Sequence, residues 1–284
     1  MQAHRFHIPV RFFAQIRSHL IANFADLPLR PSIMGVFGPP GEGKSLQLER
    51  SIERCNVEVL WVNAGDLESD NAGEPARVLV EVLKSASTAT AAGEPTAVVL
   101  HDVDTTLGEW KNNTGTVNHQ HLIAELMHLA DRPAAPRFGG VRVPVFVTGN
   151  DSTKLYAPLT RARRMTLFSW LPTETERAEV VNSLFRRSPS DPFGLNLVEQ
   201  FEGEAIAFYA DVLSRMDEDL FIGQLADMPN DMREVVDSAR ALRERVEAVG
   251  RPFSLEVTVE AARALAAERS GALTNFIKEV TCEP

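Results

Sequence analysis

Eight residues, Gly38-Pro39-Pro40-Gly41-Glu42-Gly43-Lys44-Ser45, constrain this chain more than any other stretch. They match the pattern G-x-x-x-x-G-K-[ST] without a gap. Residues 33–37 ahead of them read as a short buried strand. Residues 45–54 behind them read as a helix with Leu46 and Leu48 near its start. Strand, glycine turn and helix in that order make a phosphate loop. Its glycines let the backbone curl so that successive N–H groups converge on phosphate oxygens. The helix that follows adds its positive dipole end. Lys44 is the residue type that bridges β- and γ-phosphates, and Ser45 the type that holds Mg²⁺. The nucleotide contacts expected from the loop are therefore Gly38, Pro39, Pro40, Gly41, Glu42, Gly43, Lys44, Ser45 and Leu46, with ATP and Mg²⁺ as cofactors.

A second chemical element lies downstream. The apolar run Ala97-Val98-Val99-Leu100 delivers His101-Asp102-Val103-Asp104. A buried strand with carboxylates at its C-terminal end supplies a group that holds Mg²⁺ or polarises the attacking water. Asp102 is expected to do this, with Asp104 beside it. A third strand-like run, residues 143–148, ends at Gly149-Asn150-Asp151, which offers Asn150 to position the lytic water. Residues 155–164 read as a helix whose end carries Arg161, Arg163 and Arg164, and an arginine there suits a finger inserted into a neighbouring subunit's nucleotide site.

The rest of the chain sets the frame. Residues 1–31 contain Phe12, Phe13, Ile16, Leu20, Ile21 and Phe24 at helical spacing. Residues 57–62 read as a strand, and the polar segment 63–75 as a loop. Residues 76–89 and 117–130 read as helices. Residues 105–116 read as a second polar loop carrying Trp110. His119, His121 and His128 lie in or beside the second helix without ligand spacing or a partner set, so no metal site is expected there. Beyond Leu171 the pattern turns helical: 173–186, 195–201, 206–216, 231–249 and 259–270, with 252–257 as one short extended piece. The expected division is residues 1–170, an α/β nucleotide-binding part with an N-terminal helix, and 171–284, a helical lid.

Composition excludes other classes. The 284 residues are 44% hydrophobic, enough for one large or two modest cores. No apolar run approaches a membrane span, and residues 1–10 lack the apolar stretch of a secretory signal. Cys55 and Cys282 are the two cysteines, so a disulfide scaffold is out and a reducing cytoplasm is the expected location. A net charge of −10 argues against nucleic acid as a partner.

The order of these elements resembles the AAA+ ATPases, and several stretches resemble Rubisco activase within them. These are the segment from Ala64-Gly65-Asp66 to Glu74-Pro75-Ala76, then Thr116-Val117-Asn118-His119-Gln120, then Leu126-Met127 with Ala130-Asp131-Arg132-Pro133. The most specific runs from Val143-Pro144 through Gly149-Asn150-Asp151 to Leu155-Tyr156-Ala157-Pro158-Leu159. The resemblance implies an α/β fold with a parallel P-loop sheet, helices on both faces and a helical lid. It implies a homo-oligomeric ring, hexameric in the family. It places Asn150 at the first sensor, Asp102 at the catalytic acid, Arg161 and Arg164 at arginine-finger positions and Arg215 at the second sensor. It implies that the loops 67–71 and 109–115 face a central pore and pull on a protein client, Rubisco, to release inhibitory sugar phosphates.

The chain also departs from that family. His101 stands where the activases have Asn and most AAA+ proteins Asp. Arg163 stands where the family has Gly, and Gly115 where its second pore loop has an aromatic residue. Two other readings accompany the activase one. One is a motor of the same lineage acting on a different complex. The other, motivated by His101, is a nucleotide-gated binding protein that hydrolyses ATP poorly.

Overall fold

The structure, a computed structural model, describes residues 6–63, 73–103, 117–224, 228–248 and 253–281. Their chain contacts divide them into two compact units. One is Ile8–Pro172; the other is Thr173–Pro284 together with Met1–His7.

The first unit is a five-stranded parallel sheet. In chain order it contains α1 (Val10–Phe24), β1 (Ile33–Phe37), α2 (Lys44–Arg54), β2 (Glu58–Val62), α3 (Glu74–Ala91), β3 (Thr96–Leu100), α4 (Val117–Asp131), β4 (Val145–Gly149) and β5 (Met165–Ser169). The strands lie in the order β2-β3-β4-β1-β5. In the register, Ile33 faces both Val145 and Met165, and Leu100 faces Val147. Every residue of β1, β3 and β4 is buried, because helices cover both faces and the strands read as continuous apolar runs. Alternate residues serve the two faces. Ile33, Phe37, Val98, Leu100, Val145 and Val147 pack with Leu79 and Leu83 of α3 and Leu122 and Leu126 of α4. On the other face, Phe12 of α1 meets Phe168 and Trp170 edge-on, and His19 meets Phe146.

One buried cation ties α1 to the sheet. Arg142, just ahead of β4, donates to Asn23 Oδ1 at 2.8 Å, Leu27 O at 3.0 Å, Asp26 Oδ1 at 3.3 Å and Arg30 O. Its guanidinium thus gathers the chain that leaves α1, and those carbonyls have no helical partner of their own.

The second unit is helical: α5 (Glu174–Leu184), α6 (Pro192–Gln200), α7 (Ile206–Gln224), α8 (Met232–Asp237), α9 (Ala239–Ala248) and α10 (Leu255–Thr281). A reciprocal capping box of Thr173 and Glu176 starts α5. Phe185, Phe193, Leu197, Phe208, Tyr209 and Val212 form the centre of its core. Asn182 crosses between α5 and α6, accepting from the Gly194 N–H at 2.8 Å and donating to Pro189 O and Asp191 O. No helix among the described residues is long and apolar enough to cross a membrane.

The sheet, its helices on both faces and the later helical region match the expected architecture. Four local expectations are corrected. The stretch from Leu155 to Arg164 is a series of turns, not a helix. Pro158 removes a helical donor and forces its predecessor out of the α region, while Leu155 and Leu159 still reach the core. Residues 165–169, not read as a strand, form β5 and pair with β1. The helix expected over 231–249 breaks at Ser238, whose hydroxyl donates to the Glu234 carbonyl. Of the extended piece expected at 252–257, residues 255–257 instead open α10, where Ser254 Oγ accepts from Val257 N–H at 3.3 Å.

Candidate nucleotide site

The strand order brings three chain segments to one edge of the sheet. The phosphate loop leaves the C-terminal end of β1, His101 and Asp102 leave β3, and Asn150 leaves β4. Ligands of open parallel sheets bind at such an edge. Within the loop, Gly38, Gly41 and Gly43 take φ values of 157°, 78° and 71°. Gly38 also has no room for a side chain, since a Cβ there would lie 2.0 Å from Trp170 O. Trp170 is fully buried and braces the loop twice. Its backbone N–H donates to Phe37 O at 2.6 Å, and its indole Nε1–H donates to Glu42 O at 2.9 Å.

Lys44 opens α2 and lies buried in the loop. Its ammonium donates to Gly38 O and Pro39 O, both at 2.8 Å, and to Asn150 Oδ1 at 3.0 Å. The last contact spans 106 residues of sequence. It joins the phosphate loop to the end of β4. Ser45 and Asp102 are exposed, and Asp102 sits in the left-handed region at φ 51°, which an aspartate tolerates better than most residues. A hydroxyl and a carboxylate are hard oxygen donors of the kind Mg²⁺ accepts. The glycine conformations, the buried lysine and this donor set fit a nucleotide with its metal.

His101 is half-buried. Its Nδ1 lies 3.0 Å from Thr148 Oγ1, and its ring stacks on Trp61 with centroids 4.9 Å apart and an interplanar angle of 5°. Burial lowers its pKa from the usual imidazole value, and Asp102 and Glu49 offset this only in part. The shift favours the uncharged ring near pH 7.

The three arginines differ. Arg161 and Arg163 are exposed, and Arg163 has φ 76°. Arg164 instead forms a bidentate pair with Asp131, both contacts at 2.9 Å, and donates to Pro158 O at 3.0 Å. Arg215 lies in the helical unit on α7, where it pairs with Glu268 of α10. Asp104, Trp110, Gly115 and the two loops expected to face a pore lie outside the described residues. Among the described residues, no group of three His, Cys, Asp or Glu side chains is placed to hold a metal ion.

Sequence reasoning passed over Trp170, Thr148 and Trp61. Trp61 and Trp170 belong to no motif, and Thr148 lies in the stretch from Val143 to Leu159 without a role assigned there. Their roles arise from strands that pair far along the chain.

The sequence model of the ATPase family associated with various cellular activities (AAA) matches residues 34–173. The chain carries an AAA-family ATPase domain. That domain spans β1 to the end of the sheet and contains the phosphate loop, the ends of β3 and β4 and the arginine-bearing turn; Arg215 lies outside it. The chain is also 36% identical over 226 residues to a ribulose bisphosphate carboxylase/oxygenase activase of Vigna radiata var. radiata, a match covering 75% of this chain and 51% of the relative. The activase of Zea mays is 36% identical over 225 residues, covering 75% and 52%. That of Cucumis sativus is 35% identical over 226 residues, covering 75% and 54%. The chain is Rubisco activase-like in sequence, and it spans about half the length of the curated relatives it matches.

Proposed function

We propose that the AAA domain binds and hydrolyses ATP with Mg²⁺, and that the chain is a remodelling chaperone of the Rubisco activase type. The observation that carries this reading is the buried Lys44 ammonium, held between the phosphate loop and Asn150 at the end of β4. An ammonium in that position exchanges carbonyl partners for phosphate oxygens when a nucleotide enters, and Asn150 is then beside the terminal phosphate. Ser45 and Asp102 would hold Mg²⁺, which would neutralise phosphate charge. Asp102 orients the attacking water, with Asp104 as the accompanying carboxylate in sequence. Arg161 is exposed and serves as the finger toward a neighbouring copy in a homo-oligomeric ring, a hexamer. Arg164 sits at the second finger position, but its pair with Asp131 gives it a role in holding the arginine-bearing turn. Arg215, in the helical unit, serves as the second-sensor arginine. The client is Rubisco or a related assembly, pulled through the ring by the loops 67–71 and 109–115. The low cysteine usage supports a cytoplasmic setting, while the relatives named above are described as chloroplastic.

The test is ATP hydrolysis by the purified protein, with and without inhibitor-locked Rubisco, while carboxylation is followed. ATP-dependent recovery of carboxylation supports the full proposal. Hydrolysis without recovery keeps the ATPase and assigns another client. Lys44→Ala should abolish binding or turnover, and unchanged values would remove the phosphate-loop assignment. Arg161→Ala should lower turnover by roughly 10³-fold or more while sparing ATP binding. Arg164→Ala should act chiefly through loss of the Asp131 pair, as lowered stability. Equal and purely catalytic losses from both would contradict the division of roles.

A further inference from the structure

His101 departs from the family pattern, and its surroundings are specific. The Thr148 hydroxyl is 1% exposed, so it needs an acceptor for its proton. Its oxygen already faces one donor, the Asp102 backbone N–H at 3.4 Å. Among the described residues, the remaining partner is His101 Nδ1 at 3.0 Å. A backbone N–H cannot accept, so Nδ1 is the acceptor that these contacts offer the hydroxyl proton. In a neutral imidazole one nitrogen donates and the other accepts. Nδ1 as acceptor leaves the hydrogen on Nε2. The chain of contacts runs from the Asp102 N–H to Thr148 Oγ1, and from the Thr148 O–H to His101 Nδ1.

Trp61 fixes the other degree of freedom. Its indole lies parallel to the imidazole, 5° from coplanar and 4.9 Å between centroids. Parallel contact of two rings restrains χ2 of the histidine while leaving its edge open. Trp61 itself is 38% exposed, so the hydrophobic core does not explain its position. Among the described residues, His101 makes no second side-chain hydrogen bond. His101 stands at the C-terminal end of β3, which pairs with β4, and the end of β4 carries Asn150.

We propose that Thr148 and Trp61 hold His101 with its Nδ1 as acceptor and its Nε2–H as a donor toward the phosphoryl oxygens of the bound nucleotide. In this tautomer the ring has no lone pair left for accepting from a metal-bound water. His101 is then a hydrogen-bond donor to substrate at a position where a carboxylate or amide would face the metal's water shell. Thr148 and Trp61 are positioning residues acting through it. The proposal rests on the nucleotide site assigned above.

The tautomer is tested without turnover. Protein labelled with ¹⁵N-histidine and free of nucleotide is examined by long-range ¹H–¹⁵N correlation, with the His101 signals assigned by their loss in His101→Asn. The expected pattern is a protonated Nε2 and a bare Nδ1. Thr148→Val should lose that preference and Thr148→Ser should keep it. Protonated Nδ1 in the wild type would overturn the proposal. Adding a non-hydrolysable ATP analogue with Mg²⁺ should shift the Nε2–H signal, and an unmoved signal from a protein that binds the analogue would overturn the donor role. A protein that does not bind it would sink the nucleotide site itself, a failure separable from that of the tautomer. Trp61→Ala and Thr148→Val should lower kcat on the order of 10²-fold with KM for ATP held. Trp61→Phe and Thr148→Ser should restore most of it. Loss spread equally over every variant, or matched by a fall in melting temperature, would reduce both residues to structural ones.

Discussion

Acid should weaken this protein through one buried histidine. His19 lies on the inner face of α1, 5% exposed, edge-on to Phe146 and beside Asn23. Burial lowers its pKa from 6.5 to about 4; Arg142 nearby adds to the effect, and hydrogen bonds with the Val145 and Ser32 backbones oppose it. The folded state therefore resists a proton that the unfolded chain accepts. Above pH 6.5 both states are neutral at this position and its contribution to stability is complete. As pH falls from 6.5 toward 4 the unfolded state binds the proton first, and stability declines. Below about 4 both states are protonated and this decline stops. At about 1.4 kcal/mol per tenfold, the full loss is about 3 kcal/mol. Carboxylates titrate in the same range, so the comparison needs a variant without the imidazole. Urea unfolding of wild type and His19→Gln at pH 7 and pH 4.5 isolates the term. The wild type should lose about 2–3 kcal/mol more than the variant over that interval. Equal losses would show that the ring is accessible to protons in the fold, and the reasoning from burial would fail.

Two further outcomes follow from named contacts. Arg142→Met should destabilise the first unit by about 3–5 kcal/mol, because it strips a buried cation from the Asn23 side chain and from the carbonyls of Leu27 and Arg30; denaturant midpoints measure it, and a change near zero would mean that water replaces the guanidinium. Trp170→Phe keeps the ring packing but removes the indole donor to Glu42 O. It should cost about 1 kcal/mol, read as roughly fivefold weaker nucleotide binding in a fluorescent-analogue titration, and unchanged affinity would show that the brace is not felt at the loop.

Local patterns in the sequence carried much of this protein. The phosphate loop was legible because a nucleotide needs a fixed spacing of Gly, Lys and Ser within one turn of chain, and fixed spacing survives in one dimension. Strands β1, β3 and β4 were legible because burial on both faces demands unbroken apolar runs. The helical second half was legible from its 3.6-residue period, and most errors there fell at boundaries such as Ser238 and Ser254, where a single hydroxyl decides against the continuing pattern. β5 was hidden for a different reason. It lies at the sheet edge with only Met165 and Phe168 buried, behind an arginine-rich turn that Pro158 keeps from being a helix.

Tertiary structure alone decided which distant residues meet. The strand order puts β4 beside β1, and so sets Asn150 against Lys44. The same order sets Thr148 against His101, and β2 beside β3 sets Trp61 on its ring. It separated Arg161 from Arg164, alike in sequence, because Asp131 at the end of α4 comes within reach of only one guanidinium among the described contacts. Spacing along a chain records what one turn or one strand must do. Pairing between strands is set by the burial of whole faces, and no single residue carries it.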